Sequence, residues 1–112
     1  MPVTRLVSIN ANGGSWTPIV ATMAAHEVQI VEDGSVTAQG IAAQFKSDGF
    51  GTTDTYPPGQ VIQLVGHGND GAAGLPAQNA PGGFNYRAGD TYCQLRSATA
   101  SGTVVRVVES EV

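Results

Sequence analysis

Short apolar runs with period-two alternation, each ended by a turn rich in glycine, proline or asparagine, recur along the chain, and no segment sustains a helical period. Such a chain folds by pairing strands rather than by packing helices. About seven to nine short strands predict an all-β fold, an antiparallel β-sandwich of jelly-roll type. A chain of 112 residues holds one hydrophobic core and is too short for two, so residues 1–112 are expected to form a single domain.

Residues 5–9 put Arg5, Val7 and Ile9 on one face and Leu6 and Ser8 on the other. After the Asn12-Gly13-Gly14 turn, residues 17–22 predict a second strand whose start lies at a sheet edge, because Pro18 has no N–H for a ladder. Met23, Ala24 and Ala25 fit one helical turn or a crossover. Residues 27–32 direct Val28 and Ile30 one way and Gln29 and Val31 the other, and Asp33-Gly34 follows as a hairpin-type turn. Residues 36–45 read as one strand bulged at Gly40 or as two short ones. Residues 46–59 are turn-rich and end in Tyr56-Pro57-Pro58-Gly59, ahead of an apolar strand at 61–65. Residues 66–83 carry six glycines and two prolines without apolar periodicity, which predicts a long loop and the best local candidate for contacting a partner. Strands at 92–96 and 103–109 are expected to close the chain as a hairpin.

Charged residues make up 12% of the chain, about half the ~25% of an ordinary soluble domain. Interface cores are depleted of charge, so the deficit points to assembly. Lys46 is the sole lysine, and arginine supplies the remaining cations. A net charge of −4 with no basic cluster argues against nucleic acid as a partner. No run is long and apolar enough to span a bilayer, so no membrane partner is expected. The first residues lack a signal peptide's basic start and apolar core, which predicts synthesis as a cytosolic, unprocessed protein. Cys93 is the only cysteine, so an intrachain disulfide is impossible and a packing role is expected.

The last strand carries the most telling pattern. Val105 and Val107 project to one face, Val104, Arg106 and Val108 to the other, and only Arg106 breaks the second apolar row. A strand with one solvated face alternates more strictly, so both faces call for cover, from the chain's own loops or from another subunit. Burying a valine is worth roughly 1.5 kcal/mol or more, so two left wet forgo about 3 kcal/mol.

Chemistry-bearing motifs are weak. His67-Gly68-Asn69-Asp70 has the residue types of a metal or proton-transfer loop, but His26 defines no spacing with it and a solvated turn accounts for it. Cys93 lies mid-strand without an activating cation, no serine sits in a Gly-x-Ser-x-Gly elbow, and turn geometry explains Asp48, Asp54 and Asp90. The glycines from Gly66 to Gly71 lack the lysine and hydroxyl of a phosphate-binding loop. No catalytic residue, metal site or cofactor is therefore assigned. Trp16, Phe50, Tyr56, Phe84 and Tyr86 fall in or near expected loops and leave core packing, sugar stacking and subunit contact open.

The stretch from His26 to Gly34, the Pro57-Pro58-Gly59-Gln60 turn before residues 61–65, and the ending around Ser101-Gly102-Thr103-Val104-Val105-Arg106-Val107-Val108 together resemble small β-structured head-decoration and capsid cement proteins of tailed phages. The loop at 66–83 departs from that pattern. The resemblance implies a non-enzymatic virion protein bound to the major capsid protein, itself a trimer or other symmetric homo-oligomer. Val104, Arg106 and Val108 are the expected self-association surface, and Trp16 and Phe84 the expected partner contacts. A carbohydrate- or receptor-binding module, including a tail or fibre-base component, is the alternative.

Overall fold

The computed structural model describes residues 2–23, 27–46, 49–65 and 88–110. Eight strands and no α-helix occur among them: β1 (Val3–Ile9), β2 (Thr17–Val20), β3 (Glu27–Glu32), β4 (Ile41–Phe45), β5 (Asp54–Tyr56), β6 (Ile62–Val65), β7 (Thr91–Ser97) and β8 (Thr103–Ser110). The chain is organised as one long hairpin whose arms pair strand for strand: β1 with β8, β2 with β7, β3 with β6 and β4 with β5. Rolling that hairpin adds the β3–β8 and β4–β7 ladders. The result is two four-stranded antiparallel sheets, β1-β8-β3-β6 and β2-β7-β4-β5, which is the jelly roll expected from the sequence.

Alternation decides what goes between the sheets. Val28 and Ile30 on β3, Ile62 and Leu64 on β6, and Val105 and Val107 on β8 meet Ile41, Ala43 and Phe45 on β4 and Cys93 and Leu95 on β7 in one buried cluster. Tyr56 on β5 packs its ring edge-on against Phe45, with centroids 6.4 Å apart. β7 breaks the alternation: Ile19 pairs with Cys93 but Val20 with Thr91, so Tyr92 is the extra residue of a bulge and both Tyr92 and Cys93 are buried. Burial raises the Cys93 thiol's pKa, in keeping with an inert packing role.

Three expectations are corrected. β7 and β8 are not a hairpin, and neither are β3 and β4; each pair crosses from one sheet to the other. Turn residues mark a reversal but not whether the ladder continues across it. After β7 the turn bonds to the β1–β2 connection instead of to its own arms, Ser97 N–H to Asn10 O and Asn12 N–H to Thr99 O, both at 2.7 Å. Strand β5 lies inside the stretch read as turns, so Tyr56 belongs to the core rather than to a loop; three residues are too few to show alternation. Residues 36–40 are not strand: β4 starts at Ile41.

Gly40 explains where β4 begins. Its φ is +84°, and a Cβ there would lie 2.9 Å from the Tyr56 carbonyl oxygen and 3.3 Å from the Ala98 methyl. Gly40 thus marks a close backbone approach that precedes the strand, not a bulge within it. An alanine would meet both a left-handed backbone penalty of about 1–2 kcal/mol and a backbone clash. Gly40→Ala is expected to lower stability by about 2 kcal/mol or more, a fall of roughly 10 °C in Tm by calorimetry.

Candidate assembly surface

The outer face of the β1-β8-β3-β6 sheet gathers the three residues singled out on the last strand. Thr103, Val105, Val107 and Glu109 face inward and are buried, while Val104 and Val108 are half-buried and Arg106 is exposed on the outside. Register places Leu6 of β1 and Val31 of β3 on either side of Arg106. Leu6 is 58% exposed, the most exposed large apolar side chain among the described residues, and Val61 just before β6 is 39% exposed. In-sheet neighbours therefore give the outer valines only partial cover. Arg106 lends its charge to Asp33 nearby, whose carboxyl is held below its usual range chiefly by the Ser35 hydroxyl.

Trp16 lies elsewhere. It is half-buried beside β7 on the outer side of the β2-β7-β4-β5 sheet, with the Arg96 guanidinium 4.2 Å from its ring centroid. Arg96 also donates to the Gly14 carbonyl at 3.3 Å. Next to this stack Gln94 donates to Gln44, and Gln44 donates to Thr53 at 2.9 Å. The structure thus separates Trp16 from Val104, Arg106 and Val108, which lie across the sandwich. Phe84 falls outside the described residues, as do Tyr86, His26, His67, Asp70 and the loop at 66–83. Phe50 is half-buried in the turn after β4.

Two buried carboxylates escaped sequence reasoning. Glu109 accepts from the Tyr92 hydroxyl at 2.6 Å, from Thr22 N–H at 3.0 Å, from the Thr22 hydroxyl at 2.8 Å and from Arg5, its ion-pair partner. Glu32 accepts from the N–H groups of Gln39 at 2.6 Å, Gly40 at 2.8 Å and Gly59 at 3.5 Å, and from the Thr103 hydroxyl at 3.0 Å. Burial pushes both pKa values up, but the converging donors outweigh it and both carboxyls end below their usual range. A signal for each was present. The inner row Val28, Ile30 leads next to Glu32, and Val105, Val107 leads next to Glu109.

Register sets Glu32 opposite Val105, four residues or about 13 Å along β8 from Glu109, so the two carboxylates do not form a pair that could share a proton or a substrate. Their donors tie strands and turns together. Tyr56, by contrast, has a buried hydroxyl without a hydrogen-bond partner, and burial raises its pKa. Among the described residues no group of three or more His, Cys, Asp or Glu side chains is placed to hold a metal ion. No family model, curated protein or solved structure matches the chain.

Proposed function

We propose that this jelly roll is a non-enzymatic structural protein that decorates or cements a tailed-phage capsid, docking on the major capsid protein through the outer face of the β1-β8-β3-β6 sheet. The observation that carries the reading is the incomplete cover of that face: Val104 and Val108 half-buried, Leu6 exposed beside them, and Arg106 the one charged side chain of that row of β8. A chain with only 12% charged residues leaves that apolar strip intact. An arginine ringed by apolar side chains is also a common energetic centre of an interface. The identity of the partner rests on the sequence resemblance and on a fold that also builds viral shells. Binding would stabilise the assembled shell by mass action, without chemistry.

Co-sedimentation with emptied tailed-phage heads tests this. Arg106→Glu is expected to weaken binding about 30-fold, the equivalent of a 2 kcal/mol interface centre, with Tm unchanged. Wild-type protein that fails to bind heads, or a variant that binds equally well, would overturn the reading. A second reading, glycan binding, draws on the Trp16–Arg96 stack and the adjacent Gln94–Gln44 amides on the opposite face. Saturable glycan binding that is lost in Trp16→Ala and kept in Arg106→Glu would favour it.

A further inference from the structure

Among the described strands four lie at sheet edges, and three of them carry features that discourage pairing. β2 has Pro18 and the bulge at Ile19/Val20, β5 is three residues long, and β6 is four. β1 is different. It runs seven residues, Val3–Ile9, without proline, glycine, lysine or a register shift, and its only charge, Arg5, is turned inward to Glu109.

Hydrogen-bond phase shows which groups of β1 are unpaired. Asn10, just beyond β1, turns its carbonyl away from β8 to accept from Ser97. In an antiparallel ladder alternate residues point to alternate sides, so Ser8, Leu6 and Thr4 also turn their N–H and C=O groups away from β8. β8 confirms the phase independently. Val104 O accepts from Asp33 N–H on the β3 side at 2.8 Å, which leaves Val105 and Val107 to bond with their partners on β1, Val7 and Arg5. No described residue supplies a backbone partner to the outward groups of Thr4, Leu6 and Ser8.

We infer that β1 is a homodimerisation edge, pairing antiparallel with β1 of a second copy about a twofold axis at Leu6. In that register Leu6 lies opposite Leu6, and Thr4 opposite Ser8 on each side. All three are hydrogen-bonded pairs formed from groups that no described residue pairs. The side chains match as well: an apolar pair on the axis is flanked by hydroxyl pairs, a favourable cross-strand combination. Arg5 meets Val7 rather than another Arg5, so no like charges face each other. The occupant is a second copy because the strand is complementary to itself. Pairing joins two four-stranded sheets into one continuous sheet and extends the strip of Leu6, Arg106 and Val108 across the axis. It deepens the assembly reading, resting on it only for the premise that the chain works in contact with other subunits, and it specifies a dimer among the symmetric homo-oligomers that the resemblance implies.

Sedimentation velocity and amide hydrogen exchange over a concentration series test the pairing. The expected result is a reversible dimer in which the Thr4, Leu6 and Ser8 amides gain protection with concentration, while Arg5 and Val7 are protected throughout. Leu6→Lys, which sets two ammonium groups opposite each other, is expected to weaken the dimer about 10-fold or more. Leu6→Pro removes an N–H that the monomer does not use and is expected to abolish it; circular dichroism checks that each variant folds. A strict monomer, a trimer, or a dimer with those amides unprotected would overturn the inference. Wild-type protein that binds heads as a strict monomer would overturn the pairing and leave the proposed function standing, whereas a wild-type dimer that ignores heads would sink that function alone.

Discussion

Replacing Glu109 with alanine is expected to destabilise the domain by about 3–5 kcal/mol, because the change strands several donors at once in a buried place. The Tyr92 hydroxyl is buried and has been drawn inward by the β7 bulge to reach this carboxylate. Thr22 gives both its N–H and its hydroxyl to it. Arg5 is partly exposed, also donates to the Val20 carbonyl, and can turn to water once its partner is gone. The larger loss therefore comes from Tyr92 and Thr22, where each unsatisfied buried group costs about 1–3 kcal/mol. Against a total stability of roughly 5–15 kcal/mol, the variant should be close to unfolding at 37 °C. Urea denaturation of Glu109→Ala and Arg5→Met separates the contributions. Arg5→Met leaves Glu109 its Tyr92 and Thr22 donors and should cost clearly less. Equal losses would mean that the ion pair, rather than the donor cluster, holds this end of the sandwich.

The architecture was legible because a jelly roll is written largely in period-two alternation. Val28 and Ile30, Ile62 and Leu64, and Val105 and Val107 face inward as their spacing requires, and Pro18 falls on an edge strand. Sheet assignment was harder to read. Whether Ser97 and Thr103 stay in one ladder depends on the Ser97–Asn10 and Thr99–Asn12 bonds to a connection some 85 residues away, and local turn chemistry carries no trace of such partners. Tyr56 was misplaced for a related reason: a three-residue strand that runs straight into Pro57-Pro58 has no period to detect.

The assembly surface was half legible. The sequence pattern located Val104, Arg106 and Val108 on a shared face, because that depends only on alternation within one strand. That Leu6 and Val31 flank them depends on strand order, which appears only once β8 is seated between β1 and β3. Trp16 is expected at a separate partner contact from its aromatic character and loop position, and the fold puts it on the far side against Arg96. Glu32 and Glu109 could have been found by extending each inner row by one step. A carboxylate at the end of an apolar row is ordinarily read as the point where the strand meets water; here the turns fold back over it and supply donors instead.

Glu32 makes the second large prediction, and its signature is in pH. The carboxylate accepts from Gln39, Gly40, Gly59 and Thr103, so it gathers the β3–β4 turn, the β5–β6 turn and the start of β8, and no cation is among these partners. Burial alone would raise its pKa; the donors reverse the sign and leave it lowered, as they do for Glu109. A carboxyl whose pKa is lower in the folded than in the unfolded chain gives stability that is fully present above the unfolded value. That stability is lost as pH falls through the folded one, because the unfolded chain then binds more protons. Unfolding free energy measured by urea titration should therefore decline steadily below about pH 5. Glu32→Gln is expected to lower stability by about 2–3 kcal/mol at pH 7, since an amide offers the four donors one oxygen in place of two and no charge. Its acid limb should be flatter, with the variant and wild-type curves converging as pH falls through the folded-state pKa of Glu32. Parallel curves would show that Glu32 is not a source of the acid sensitivity. With about 13 Å of β8 between them, Glu32→Gln and Glu109→Gln should add within about 0.5 kcal/mol, and the double variant should lose most of the acid slope.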